Sequence, residues 1–212
     1  MCGRYANSAD ISVVADELAA ADETAGAWRP SWNAAPSTQQ LVAVTGAAGV
    51  GLRIAAWGWR RDFARRPLFN ATVEKAPRSP LWRVALQQHR CVVPVTGWWE
   101  WAPHQDQAKW PFFHSAESGA QLYLAGLMDP ANQGGAFTVL TRPALPQLAA
   151  IHHRMPLVMG PAAAREWLCA AGESGLMDAA LAQPMPSLVV RPGPRRFGAR
   201  EDGSELVPDA ET

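Results

Sequence analysis

The sequence predicts an α+β fold with a mainly antiparallel, barrel-like β-sheet and a few flanking helices. Short apolar runs recur along the chain with turn residues between them, which is typical of antiparallel strands joined as hairpins. Helical periodicity is confined to short stretches, so crossover units that would build a parallel sheet are few. The length of 212 residues suffices for one domain with a sizeable core.

The predicted elements follow one another without a repeat or an internal domain boundary. Three segments have the apolar spacing and the terminal residues of helices: 8–21, 79–88 and 161–171. A shorter helical piece is predicted at 145–151. Apolar runs bounded by turn residues predict strands at 40–45, 52–59, 91–101, 110–114, 121–128, 136–141, 154–159 and 187–191. The stretch 60–80 has little periodicity and several prolines, so we interpret it as a long surface loop.

The end of the chain differs in composition from the rest. Beyond residue 192, proline, glycine, arginine and acidic residues replace the apolar runs. Segments of this composition bury too little apolar surface to offset the entropy lost on ordering. We therefore expect a single domain over 1–192 and a mobile tail over 193–212.

The charge is balanced overall but unevenly distributed. The formal net charge is zero, so bulk electrostatics give no reason to expect DNA or membrane binding. Between residues 51 and 70, however, five arginines stand against one acid, Asp62, and Lys75 and Lys109 are the only lysines in the chain. An arginine fork binds phosphate in a bidentate manner, which favours nucleic acid. A general bias of the composition towards arginine and alanine explains the same pattern equally well.

The cysteines and the missing motifs exclude several classes of protein. Cys2, Cys91 and Cys169 lack CxxC spacing, which argues against a disulfide framework and a zinc site. Glycine-rich phosphate loops, HExxH and GxSxG are absent from the sequence, so we predict no cofactor and no metal. Neither a signal peptide nor a membrane-length apolar run is present, and a reducing, cytoplasmic location is the default expectation.

Cys2 is the residue with the most unusual potential chemistry. Removal of Met1, which is usual before a small residue, would give a terminus with an α-amine and a thiol on adjacent carbons. The reference pKa of an α-amine is about 7.7–8.0 against about 10.4 for lysine, so this amine is the better nucleophile near neutral pH. Such an aminothiol is suited to trapping carbonyl groups. The alternative is that Cys2 packs as a small apolar residue.

Three further polar sites lie in apolar surroundings. Glu100 is flanked by indoles, which should raise its pKa and suit proton transfer; the alternative is a glutamate on the solvent face of a strand. His152 or His153 could act as an acid–base group, and Arg154 beside them could hold a phosphate. Asn70 could orient a hydroxyl or carbonyl through its amide, or simply shape a turn.

The ordered set of motifs resembles the SRAP family, the SOS response-associated peptidase-like proteins that shield abasic sites. The segments that carry the resemblance are Met1-Cys2-Gly3-Arg4-Tyr5, Asn33-Ala34-Ala35-Pro36, Trp57-Gly58-Trp59, Asn70-Ala71, Arg90-Cys91 with Pro94, Gly97-Trp98-Trp99-Glu100-Trp101, Leu124-Ala125-Gly126-Leu127 and His152-His153-Arg154-Met155-Pro156. Each segment alone is weak evidence for the resemblance. Their occurrence in this order over three quarters of the chain is specific to the family.

The resemblance implies a DNA damage protein that binds single-stranded DNA and crosslinks to abasic deoxyribose. Cys2 would be the nucleophile, Asn70 and Glu100 would line the pocket, and His152 would assist proton transfer; His153 falls on a variable position and is left out. Further DNA contacts are expected from Arg4, Trp59, Arg60 and Arg154. A monomer without membrane association is expected, in the cytoplasm and on the nucleoid when bound to damaged DNA.

One position departs from the family pattern. The family usually has Asn-Ala-Arg, with the arginine on a DNA phosphate, where this chain has Asn70-Ala71-Thr72. Loss of that contact should weaken DNA binding and reduce its dependence on salt. Arginines at 60–66 and Arg154 are the expected substitutes.

Two other functions stay open at the level of sequence. In the first, Cys2 attacks a peptide carbonyl with His152 as base, as in an autoproteolytic N-terminal-nucleophile hydrolase or another cysteine peptidase. In the second, tryptophans and arginines bind single strands without any covalent step. An abasic-site lyase activity that accompanies crosslinking is a further possibility.

Overall fold

The helices and strands are short and are distributed along the whole chain. A computed structural model describes residues 2–104, 108–132, 135–170, 175–195, 198 and 201–208. The helices are α1 (Ile11–Leu18), α2 (Arg83–Gln88), α3 (Pro161–Cys169) and α4 (Leu176–Ala182), with 3₁₀ turns at Pro130–Asn132 and Ser204–Leu206. The strands are β1 (Arg4–Asn7), β2 (Ala20–Asp22), β3 (Ser31–Ala34), β4 (Gln39–Gly46), β5 (Gly49–Trp57), β6 (Asn70–Thr72), β7 (Arg90–Val95), β8 (Gly97–Pro103), β9 (Lys109–Ala116), β10 (Leu122–Met128), β11 (Ala136–Pro143), β12 (Arg154–Pro156), β13 (Val158–Met159) and β14 (Leu188–Pro192).

The larger sheet is mainly antiparallel and closes on itself. Its strand order is β12-β11-β10-β7-β4-β5-β2, and β6 and β13 pair with β11 and β10. The ring closes where β5 and β11 run parallel, with Ala136 opposite Ala56 and Phe137 opposite Trp57. The predicted α+β class with a mainly antiparallel sheet is confirmed. The ring is less regular than a true barrel because this closing contact is short and parallel.

The smaller sheet brings the start of the chain beside the tryptophan-rich strand. Its order is β14-β9-β8-β1-β3, so β1 lies between β8 and β3. In the β1–β8 ladder Arg4 is opposite Trp99 and Tyr5 is opposite Trp98. The residue two places before Arg4, Cys2, is therefore held near β8 by the pairing of β1.

The segment 91–101, predicted as one strand, is two strands that belong to different sheets. The break is at Thr96, whose main-chain N–H donates to the carbonyl of Ala6 at 2.8 Å. Gly97 permits the crossing, because a Cβ there would lie 2.4 Å from the carbonyl oxygen of His114. Residues 91–101 are mostly apolar throughout, so the sequence gives no sign that the chain changes sheet within this segment.

Buried apolar residues fill both faces of the larger sheet. One cluster includes the helices α1, α2 and α3, and the other includes Cys2, Tyr5, Trp57 and Trp98. Arg90 is 9% exposed and donates to the carbonyls of Leu86, Gln87 and Trp167 at 2.9, 2.8 and 2.7 Å. Its side chain thereby satisfies carbonyls at or near the ends of α2 and α3 that have no helical partner. These contacts explain why a buried arginine is tolerated at the start of β7.

Several elements escape the sequence prediction because they are short or lack periodicity. Strand β6 lies within the predicted loop 60–80, where it runs parallel to β11 with Asn70 opposite Val139. Strands β1, β2 and β3 and helix α4 were not predicted, and the predicted strand 154–159 is divided into β12 and β13. The short helical piece predicted at 145–151 forms turns instead. In the described part of the chain, no helix has the length and apolar character needed to cross a membrane.

Some of the described residues beyond 192 make defined contacts, and the mobility expected for the whole of 193–212 stays a prediction. The main-chain N–H of Gly193 donates to the carbonyl of Pro111 at 2.8 Å. Leu206 is 4% exposed and packs with Ala6, Trp99 and Phe113. A single buried leucine and a few hydrogen bonds hold this segment, and neither produces a periodic pattern in the sequence.

Candidate active site

Cys2 lies in the buried interior where the start of the chain meets the larger sheet. Its main-chain carbonyl accepts a hydrogen bond from Asn70 Nδ2 at 2.8 Å. The residue has no exposed surface and belongs to the same apolar cluster as Tyr5, Trp57 and Trp98. The side-chain amide of Asn70, the first residue of β6, therefore fixes the backbone of Cys2.

The electrostatic environment keeps the Cys2 thiol protonated near neutral pH. Burial raises the pKa of this thiol well above its ordinary value, and the negative charge of Glu100 raises it further. The positive charge of the chain's amino terminus and a contact with the carbonyl of Arg4 act in the opposite direction but are weaker. The register of β1 with β8, in which Arg4 is opposite Trp99, places Glu100 beside the start of β1.

Glu100 is enclosed, as the indoles around it in the sequence suggest. Its side chain is 6% exposed, so Glu100 does not lie on a solvent face of β8. Burial raises the pKa of the carboxyl group, while the charge of the amino terminus and that of His153 lower it in part. A carboxyl group with a raised pKa can accept and return a proton at a pH near neutrality.

The ring of His152 is held by the backbone that follows it. His152 Nδ1 lies 2.9 Å from the main-chain nitrogen of Arg154 and 3.0 Å from its carbonyl oxygen, so the contact suits either tautomer of the ring. Burial lowers the pKa of His152, and the positive charge of the amino terminus lowers it further. The same positive charge lowers the pKa of Glu100.

The amide nitrogen of Asn70 binds the backbone of Cys2, while the amide oxygen has no hydrogen-bond partner in the described residues. Its Nδ2 is used by the Cys2 carbonyl, whereas its Oδ1 is buried and has no hydrogen-bond partner in the described residues. A buried acceptor without a partner is costly. An incoming hydroxyl or amine that donates to Oδ1 would remove this cost.

The predicted DNA-contacting residues occupy different environments. Arg4 is half-buried, and its Nη1 donates to Asn33 Oδ1 at 2.7 Å, while Arg60 is exposed. Arg154 is paired with Glu74 at 2.7 Å, so its guanidinium is already neutralised. Trp59 has no exposed surface, and its Nε1 donates to the carbonyl of Leu127 at 3.3 Å. Arg4 and Arg60 therefore offer their charge to a ligand, whereas the indole of Trp59 belongs to the core.

Phe63 was not singled out in the sequence, and His153 was considered and then left out. Phe63 is 75% exposed and lies in the loop that carries Arg60, Arg65 and Arg66. The ring of His153 stacks on that of His152, with centroids 4.5 Å apart, and its charge reaches Glu100. An aromatic residue within a run of arginines is the signal that could have identified Phe63.

The fold and the site together define a class: an α+β protein whose second residue, a cysteine, is buried, is held by an asparagine amide and is influenced by the charge of a buried glutamate. The profile of the family described as SOS response associated peptidase (SRAP) matches residues 1–194. This chain therefore belongs to the SRAP family, as the sequence motifs indicate.

Two relatives in bacteria share much of the sequence. Abasic site processing protein YedK of Escherichia coli (strain K12) is 29% identical over 220 residues, which cover 98% of this chain and 99% of YedK. Abasic site processing protein YoaM of Bacillus subtilis (strain 168) is 27% identical over 180 residues, which cover 79% of each chain.

Solved structures share the fold at lower identity. A phage-related protein of Bordetella bronchiseptica superposes with a TM-score of 0.74 at 24% identity, covering 98% of this chain and 100% of that one. A protein of Bacteroides thetaiotaomicron superposes with a TM-score of 0.77 at 16% identity, covering 97% and 98%. These similarities support the fold alone.

Proposed function

We propose that this protein captures abasic sites in single-stranded DNA by forming a covalent thiazolidine between Cys2 and the sugar aldehyde. The proposal rests mainly on the position of Cys2. Asn70 donates a hydrogen bond to the backbone of Cys2, and the charge of Glu100 raises the pKa of the Cys2 thiol. Membership of a family whose relatives include abasic site processing proteins supports the same function. The reaction requires removal of Met1, which frees the α-amine of Cys2.

The reaction proceeds through two bond-forming steps at one carbon atom. An abasic deoxyribose is mostly a closed hemiacetal, and the imidazole of His152 assists ring opening to the aldehyde. The α-amine of Cys2 then adds to the aldehyde carbon, and loss of one water gives an imine. The thiol adds to the imine carbon, its proton passes to nitrogen, and a five-membered ring results. The net reaction joins protein and DNA with release of one water.

The enclosed polar groups have separate roles in this sequence. The Glu100 carboxylate takes the proton of the attacking amine and returns it to the departing hydroxyl group. The free Oδ1 of Asn70 accepts a hydrogen bond from the sugar hydroxyl or from the amine. The same imine is the intermediate from which β-elimination cleaves the strand, so a lyase reaction competes with ring closure.

The alternative of a cysteine peptidase is less well supported by the electrostatics. A peptidase needs a thiolate, and reactive cysteines have lowered pKa values near positive charge. Burial and Glu100 instead raise the pKa of Cys2. Thiazolidine formation has no such requirement, because the amine attacks first and the thiol needs to lose its proton only during ring closure. Self-removal of Met1 remains the peptide reaction most compatible with this site.

The DNA backbone is proposed to lie along Arg4 and the exposed arginine loop. Arg4 makes no ion pair within the described residues and is close to Cys2 in sequence, and Arg60 is exposed. Arg154 would have to exchange Glu74 for a phosphate before it could contact DNA. Thr72 lies on β6 two residues after Asn70 and supplies no charge, so Arg4 carries more of the phosphate binding here.

The direct test is incubation of the Met1-free protein with an oligonucleotide from which uracil has been excised. Intact mass spectrometry should find an adduct whose mass is that of protein plus DNA minus one water. An oligonucleotide with a tetrahydrofuran in place of the abasic sugar has no aldehyde and should give no adduct. Absence of the adduct from a protein whose terminal cysteine is confirmed by mass would refute the proposal.

We expect Phe63→Ala to weaken binding to single-stranded DNA by about 1–3 kcal/mol, because a base can stack on this exposed ring. Fluorescence anisotropy with an undamaged oligonucleotide measures the effect, and the melting temperature should not change. Val13→Ala is the matched control, since Val13 is a 47% exposed apolar residue on α1. Equal affinities of the two variants would remove Phe63 from the interface.

A further inference from the structure

The end of the chain contacts the strand that orients Arg4. We call the described residues Gly198, Glu201, Asp202 and Leu206 the C-terminal clamp. Asp202 Oδ1 accepts hydrogen bonds from the main-chain N–H groups of Trp32 and Asn33, at 2.5 and 2.9 Å. Leu206 anchors the clamp in a small apolar cluster with Trp99. The clamp therefore binds β3 on the edge that no other strand of the described residues covers.

A bulge in β3 creates the donor pair that Asp202 uses. Tyr5 is opposite Ala34 and Asn7 is opposite Ser31, so β3 has one residue more than β1 between these pairs. An extra residue breaks the alternation of the ladder. The amides of two successive residues, Trp32 and Asn33, can then both reach one carboxylate oxygen.

The clamp also determines which way the Asn33 amide faces. Asn33 is 5% exposed, and its Nδ2 donates to the carbonyls of Gly198 and Glu201 at 3.1 and 2.7 Å. Carbonyl oxygens only accept, so the nitrogen of the amide must face the clamp. Its Oδ1 is consequently directed at Arg4 Nη1, 2.7 Å away. The guanidinium of Arg4 only donates, so the two carbonyls and Arg4 together fix the amide in this orientation.

We infer that the C-terminal clamp positions Arg4 for a DNA phosphate beside the abasic sugar. This inference rests on the proposed function. Asn33 uses a neutral oxygen, so Arg4 keeps its full charge, and a guanidinium has further N–H donors to offer a phosphate. Asp202 and Asn33 are positioning residues, because they act on DNA through Arg4 alone.

The sign of one mutational effect separates positioning from bulk electrostatics. Removing an acidic residue near DNA should strengthen binding if only charge matters. We expect Asp202→Ala instead to weaken binding of undamaged single-stranded DNA by about tenfold, the loss of one well-aligned charged contact. The salt dependence should fall by about 0.7 in slope. Asp202→Asn, which keeps an acceptor oxygen, should restore most of the affinity.

The control and the coupling to Arg4 complete the experiment. Glu205→Ala removes the same charge from the same exposed segment and should leave affinity unchanged or slightly higher. In an Arg4→Ala background, Asp202→Ala should have no further effect, because the two residues act as one unit. Additive effects, or an Asp202→Ala variant that binds as well as Glu205→Ala, would overturn the inference.

A measurement without DNA separates this inference from the proposed function. Hydrogen–deuterium exchange of residues 2–7 should increase in Asp202→Ala and not in Glu205→Ala. If exchange and single-strand affinity respond as expected while abasic DNA gives no adduct, the clamp stands and covalent capture fails. If the adduct forms but exchange and affinity do not respond, the clamp is wrong and covalent capture stands.

Discussion

Cys2→Ala is expected to form no heat-stable adduct with abasic DNA, although it still binds undamaged single strands. The variant keeps an α-amine after Met1 is removed, because alanine is also small. That amine can form only an imine, which water reverses, since no thiol remains to close the ring. The loss should be complete on a denaturing gel after heating.

Borohydride reduction distinguishes loss of ring closure from loss of the site. Reduction should convert the reversible imine of Cys2→Ala into a stable amine, so an adduct should reappear under reducing conditions alone. Cys169→Ala is the matched control, because Cys169 is an exposed thiol far along the sequence and should crosslink as wild type does. A heat-stable adduct formed by Cys2→Ala without reductant would mean that another group is the nucleophile.

The chemistry of the site could be predicted from the sequence where residue type alone limits the alternatives. A cysteine after the initiator methionine offers an aminothiol that no internal residue can form. Glu100 between indoles predicts an enclosed carboxyl group, and its pKa is raised by burial as expected. These conclusions depend on neighbours in the chain, so the sequence contains the information directly.

The partners of the charged residues could not be predicted, because they come from segments that are far apart in the sequence. Arg154 has Glu74 as its partner, and Arg4 has Asn33. Neither pair shares a helix or a hairpin, so local spacing gives no indication of it. Trp59 shows the same limit: its core position follows from the irregular ring of the larger sheet, whereas its sequence context suggested an aromatic DNA contact.

The second large effect concerns Glu100. We expect Glu100→Gln to slow adduct formation by about 10²-fold at neutral pH, the usual contribution of a general acid–base group. In the wild type both the Cys2 amine and Glu100 must lose a proton, so the logarithm of the rate should rise with a slope approaching two at low pH. In Glu100→Gln only the amine titrates, and the slope should not exceed one. Single-turnover rates between pH 4.5 and 8 measure the difference, and equal slopes would exclude Glu100 as the base.

The raised pKa of Glu100 also predicts the effect of the same variant on stability. A carboxyl group with a higher pKa in the folded state binds protons more tightly there than in the unfolded chain. The free energy of unfolding of the wild type should therefore fall as pH rises above about 4.3, the ordinary pKa of glutamate. Glu100→Gln lacks this ionisation, so it should be the more stable protein at pH 8 and lose that advantage at pH 4. Chemical denaturation at the two pH values tests the sign. A variant that is slower yet more stable would show that the enclosed carboxylate is retained for catalysis at a cost in stability.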